Sequence, residues 1–259
     1  MKKSKIAVLV AMVVVLAFSL AACGGGDKSS SDKTVYKVGT EPTFPPFDTT
    51  DEDQNIVGLD MDLIKAIGED QGFDVEFENL SFDGLIPALK AGNIDIVAAG
   101  MNKDDEDRQK EVDFSDSYYE SKLFVAVTED NTTIKSVEDL TPDMKVAAQT
   151  GTTGASKVKE LKDAGKIKEA VILDGLDTCM MKLINGDVSA VINDKPVTEA
   201  YIKKQPDKIK MVGEALNAEN YGFAVQKGNA ELVEKINNGL KHIKENGTYD
   251  KLVDEWFNK

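Results

Sequence analysis

"SFDGLIPALKAGNIDIVAAG", Ser81 to Gly100, sets a helical segment directly before a buried strand. Ser81 stands near the helix cap, Pro87 falls early and Gly92 closes the end. "IDIVAAG" is then a short apolar run of the kind a sheet covers on both faces. Working back, "DVEFEN" reads as strand, "DMDLIKAIGEDQG" as a helix closed by Gly72, and "TVYKVG" as strand. The order β-α-β-α-β predicts an α/β fold, a mostly parallel sheet with helices on its faces.

Past "DFSDSYYESKLFVAVT" the pattern restarts. "KVAAQ", "EAVIL", "VSAVIND" and "KIKMVG" read as strands, with "GASKVKELKDAG", "LDTCMMKLINGD" and "PVTEAYIKKQ" as the helices between them. Two similar α/β halves therefore meet near residues 117–122, and the last stretch adds one strand and two amphipathic helices. Ligands of open α/β sheets sit at the carboxyl ends of strands. "GTEPTFPPF", "AAGMN", "AAQTGTTG" and "VINDK" all follow or end strands, two from each half, and a cleft between two lobes would collect them.

The amino terminus carries an address. "MKKSK" is a basic n-region, and Ile6 to Leu20 is apolar but shorter than the roughly 20 residues of a spanning helix, as in a signal peptide. It ends in "LAAC", which looks like the lipobox of bacterial lipoproteins and assigns residues 1–22 to a leader and Cys23 to lipidation. "GGGDKSSSDK", completing residues 23–33, reads as a flexible tether. No second hydrophobic segment follows. The net charge of −15 offers no basic stripe for phosphates and argues against nucleic acid as a partner. With Cys23 acylated, Cys179 has no disulfide partner and reads as a packed thiol in a helix.

"GTEPTFPPF", "GLDMDLIKAI", "FDGLIPALKAGNIDIVAAGM", an arginine five residues before "DFSDSYY", "QTGTTG", "VINDKP" and "NGTYDKLVDEWF" occur in this order. Together they resemble the polar amino-acid-binding lipoproteins of ABC importers, with a two-lobed periplasmic-binding-protein-like fold and two hinge crossovers. The resemblance spans Val35 to about Phe257. It implies one lobe from residues 34–117 and 222–259 and another from 122–217. It also implies a monomer on the outer face of the cytoplasmic membrane, anchored through Cys23, that captures a free amino acid and delivers it to permease subunits.

A free amino acid taken out of water needs a partner for each of its poles. Arg108 reads on composition as a surface arginine in "KDDEDRQKE"; the resemblance makes it the bidentate partner of the ligand carboxylate. Thr152 and Thr153 in "TGTTG" would add to the same carboxylate. Asp194 is locally as good a helix N-cap for "PVTEAYIKK" as a ligand group; the resemblance makes it the partner of the α-ammonium. Gly100 and Asn102 belong to the same pocket, with Asn102 in place of the usual Ser or Thr and the segment to Arg108 one residue longer than the family pattern. Phe44 and Phe82 match the aromatic pair that sandwiches the ligand, while Phe47 reads as core. Glu41 matches the acidic position that meets the ligand side chain, and Gln149 and Asn193 could hydrogen-bond an amide or a guanidinium. A carboxylate between aromatics suits a cation. A basic amino acid is therefore favoured over glutamine or another polar neutral one.

The rival readings are an extracytoplasmic dehydratase acting on a small carboxylic acid, and a ligand sensor. Against catalysis, no HExxH, GxSxG or CxxC occurs, and the one histidine, His242, lies near a helix C-terminus. Asp51, Asp53 and Asn55 have calcium-loop spacing, but Ile56 stands where the loop needs glycine, so the stretch reads as a hairpin turn. No cofactor or metal is expected.

Overall fold

A computed structural model describes residues 33–258. The leader, the rest of the tether and Cys23 lie outside the described residues. The chain opens with β1 (Thr34–Thr40), a hairpin of β2 (Thr49–Thr50) and β3 (Ile56–Val57), then α1 (Leu59–Gln71), β4 (Phe73–Asn79), α2 (Phe82–Lys90) and β5 (Ile96–Val97). A short α3 (Glu106–Glu111) precedes β6 (Val112–Phe114), and β7 (Tyr119–Ser121) leads into the second half. There follow β8 (Leu123–Thr128), β9 (Lys145–Gln149), α4 (Thr153–Asp163), β10 (Glu169–Leu173), α5 (Leu176–Ile184), β11 (Ala190–Asp194), α6 (Lys195–Lys204) and β12 (Ile209–Val212). The chain returns through β13 (Glu219–Tyr221) to β14 (Ala224–Gln226), α7 (Ala230–Glu245) and α8 (Thr248–Phe257).

Two five-stranded sheets result, ordered β4-β1-β5-β14-β6 and β10-β9-β11-β8-β12. Each has a parallel set of three strands, β4-β1-β5 or β10-β9-β11, extended by two more strands through successive antiparallel pairings. Helices cover the parallel strands, so these strands and the residues that continue them bury apolar side chains almost continuously: Ile96 to Ala99 in one sheet, Val146 to Ala148 and Ala190 to Ile192 in the other. The chain passes between sheets through β7 and β13, which pair antiparallel with each other. Strand β5 pairs over only two residues; beyond the Ala98 amide, which still donates to the Gly39 carbonyl at 3.0 Å, Ala99 and Gly100 turn towards the crossing strands.

The aromatic, proline-rich loop after β1 is tied to the start of α1. The Leu59 and Asp60 amides donate to the Pro46 and Phe47 carbonyls at 2.9 and 3.0 Å, meeting needs that a helix cannot satisfy internally. Phe47 packs edge-on to Tyr119, Tyr221 and Phe257, so the loop is a wall of the core. Asp51 accepts hydrogen bonds from the Asp53 and Asn55 amides, which closes the β2–β3 turn. Cys179 is buried, and burial pushes its thiol up to about 12. Among the described residues no helix is long and apolar enough to cross a membrane.

Candidate ligand-binding site

Four strand ends converge. Glu41 follows β1, Gly100 and Asn102 follow β5, Gln149 ends β9 and Asp194 ends β11. A narrow crevice between the sheets is lined by Phe44, Phe82, Gly100, Asn102, Arg108, Gln149, Thr152, Thr153, Asp194 and Glu219. Nine of these ten were expected from the sequence. Gly100, at φ 53°, lets the backbone run against the Phe44 ring, where a Cβ would come within 2.6 Å.

Arg108 is delivered by α3, a helix whose composition has no apolar face. Asp105 caps it, accepting from the Asp107 and Arg108 amides. Arg108 is 9% exposed; its guanidinium donates to the Asn102 carbonyl at 3.1 Å and to the Gly151 carbonyl of the other half at 2.9 Å, and lies 5.4 Å from the Phe82 ring centre. No carboxylate among the described residues lies within ion-pair distance of it. Burial pulls its pKa down, while Asp105, Glu219 and Asp194 act in the opposite direction at longer range. A buried cation whose neighbours are carbonyls and an aromatic face retains donors for an anion.

Asp194 begins α6 but caps nothing with its side chain. Its Oδ1 accepts from the Ser121 hydroxyl at 2.9 Å and the Tyr221 hydroxyl at 2.5 Å, both on the crossing strands. Burial, then Glu219, raise its carboxyl well above the usual range. Its neighbour Asn193 points elsewhere. Successive residues of a strand face opposite sides, and the Asn193 amide donates to the Asp194 carbonyl and the Thr198 hydroxyl rather than lining the crevice. The Thr152 hydroxyl is taken up by capping α4, accepting from the Ala155 amide and donating to the Gln149 carbonyl. Thr153, the first residue of that helix, remains on the crevice wall.

Glu41 stands behind Gln149. Its Oε2 accepts from the Gln149 amide and the Thr43 hydroxyl, both at 2.8 Å, and burial raises its pKa against these bonds. The Gln149–Glu41 and Arg108–Gly151 bonds join the two halves, as do the Leu176 amide to Thr43 Oγ1 at 3.2 Å and the Tyr201 hydroxyl to the Thr43 carbonyl at 3.1 Å. The halves are shut on each other.

Two features were not read from the sequence. Glu219 on β13 faces Asp194. Behind Gly100 lies a buried carboxyl pair, Asp48 and Asp60: Asp60 Oδ2 accepts from the Gly100 amide at 2.8 Å and the Tyr118 hydroxyl at 2.6 Å, and Asp48 accepts from the Thr40 hydroxyl. Burial lifts Asp60 from 3.8 to about 7 despite those bonds. The folded protein thus keeps a proton that the unfolded chain sheds above pH 3.8. This stabilisation is complete at low pH and is lost as pH climbs through about 7. The melting temperature of Asp60→Asn, whose amide oxygen can still accept both bonds, should fall less between about pH 5 and 8 than that of the parent. Parallel curves would refute the assignment.

Bacterial extracellular solute-binding proteins, family 3, match this chain over residues 36–259, and the chain belongs to that family. A probable histidine-binding protein of Neisseria gonorrhoeae is 33% identical, over 97% of this chain and 95% of its own. A putative ABC transporter arginine-binding protein 2 of Escherichia coli (strain K12) is 34% identical over 100% of each. Among solved structures, an ancestral arginine-binding protein bound to arginine is 45% identical, covers 87% of this chain and 99% of its own, and superposes with a TM-score of 0.82.

Proposed function

We propose that this chain is the capture component of an amino-acid ABC importer and takes a basic amino acid, L-arginine first. The observation that carries the reading is the buried Arg108, free of any carboxylate partner among the described residues, in one crevice with the buried Asp194. The first suits a ligand carboxylate and the second its ammonium; Phe44 and Phe82 would hold the stem, and Glu41 with Gln149 the cationic head. Residues 34–117 with 222–259 act as one lobe and 122–217 as the other, hinged at the paired crossing strands. Ligand bonds to both lobes supply the differential affinity that favours the shut form, which docks on the permease. Cys23 anchors the monomeric protein outside the cytoplasmic membrane. Relatives with binding names favour capture over turnover, as does the placement of His242, paired with Asp70 rather than lining the crevice.

A thermal-shift screen of the twenty amino acids tests the reading, because bound ligand raises the melting temperature by mass action. No shift with any of them would overturn it. For the choice of ligand, Glu41→Gln should weaken L-arginine roughly tenfold or more, about 1.4 kcal/mol, and L-glutamine less. Equal losses would point to a neutral ligand.

A further inference from the structure

We infer that Asp194 and Glu219 work as one ammonium-binding unit that holds a shared proton until the ligand's α-ammonium displaces it, so that capture releases a proton to solvent. The inference rests on the amino-acid reading of the crevice and adds to it a second carboxyl and an exchange.

Glu219 is 2% exposed and Asp194 6%, and both line the crevice. The two carboxyls share the crevice wall, both nearly out of water and neither with a lysine or arginine of the described residues at ion-pair distance, and buried acids so placed favour holding one proton between them. Neither is placed by chance. Glu219 stands opposite Ser121 in the β7–β13 ladder, and the Ser121 hydroxyl is held by Asp194. The Asn217 amide donates to Glu219 Oε1 at 2.9 Å, while Asn217 Oδ1 accepts from the Leu123 amide at 3.1 Å, which ties Glu219 to the start of β8. The pair therefore spans a crossing strand and the end of β11.

The charged and titratable groups facing it are few. Arg108 of α3 acts from beyond ion-pair distance, and the Tyr221 hydroxyl of β13 donates to Asp194. On its other side Glu219 also lines a hollow at the crossing strands that carries Glu120, Lys122, Lys195 and Glu199. The exchange balances: a carboxyl O–H bond breaks, the proton passes to water, and the ammonium keeps its own three protons and donates to the two carboxylates. Proton and ammonium compete for the same oxygens. Affinity should therefore rise with pH, about tenfold per unit, as long as the pair is protonated before binding.

Titration calorimetry with L-arginine, in two buffers of different ionisation enthalpy at about pH 6, counts the protons exchanged. The parent protein should release close to one. Glu219→Gln, nearly the same shape, should release clearly fewer protons and move the pH slope to lower pH, because burial alone then holds the Asp194 proton; Glu219→Asp, which keeps two carboxyls and guards against a folding defect in the first variant, should retain the release. Binding without release, or equal release from Glu219→Gln, overturns the inference while leaving the amino-acid reading intact. Failure of every amino acid in the thermal-shift screen overturns both. Difference infrared spectra give a ligand-independent check: a carboxylic-acid C=O band that is shifted or weakened in Glu219→Gln relative to the parent supports the shared proton, and identical bands in the two proteins sink it.

Discussion

Arg108→Ala is expected to lower the affinity for any α-amino acid by about 3–5 kcal/mol, the usual consequence of leaving one member of a buried charge pair alone. In dissociation constants that is roughly a hundredfold or more. The size follows from the site. The guanidinium is nearly out of water, and its neighbours are two carbonyls and a ring, so no second cation among the lining residues replaces it. Part of the loss comes from closure, because the bond to the Gly151 carbonyl joins the halves. Arg108→Lys separates the two effects: it restores charge without the planar fork, and should recover only a fraction of the affinity. Calorimetry on both variants, with unfolding curves to show that each is folded, decides it. Near-parental binding by Arg108→Ala would remove the carboxylate from this position.

Gly58→Ala should destabilise the fold by about 3 kcal/mol or more, through backbone strain together with a collision that cannot relax. Gly58 has φ 145° and ψ 172°, a conformation closed to residues with a Cβ, and its Cβ would meet the Phe47 carbonyl, a backbone atom. The contact lies where the Pro46 and Phe47 carbonyls receive the first amides of α1, so displacing it releases the helix start and the loop together. The loop carries Phe44. Loss of ligand binding should therefore accompany the drop in melting temperature, and a variant that melts like the parent would refute the argument.

The alternation of strands and helices is visible in the sequence because periodicity is a property of near neighbours. Helix α3 is not, since "EDRQKE" offers no apolar stripe; it exists through the Asp105 cap and the burial of its arginine. Glu219 was missed for a related reason. "NAENYGF" looks like a connection, and only its pairing with Tyr119–Ser121 turns it inward. Asn193 was within reach of the sequence: once Asp194 is assigned to the crevice, the two-residue period of β11 turns its neighbour away. The Asp48–Asp60 pair had no local sign at all. Its members belong to a loop and a helix start, each of which commonly carries an exposed acid, and only the packed Phe47 loop buries them.

Strand β14 lies between β5 and β6, yet both partners were made more than a hundred positions earlier in the chain. As the polypeptide leaves a ribosome or a secretion channel, the first sheet must wait with an exposed apolar edge while the whole second half emerges and can fold on its own local contacts. The newborn protein should therefore be most vulnerable to aggregation and proteases at its amino-terminal half, and the arrival of Ala224–Gln226, late in the chain, ends that exposure.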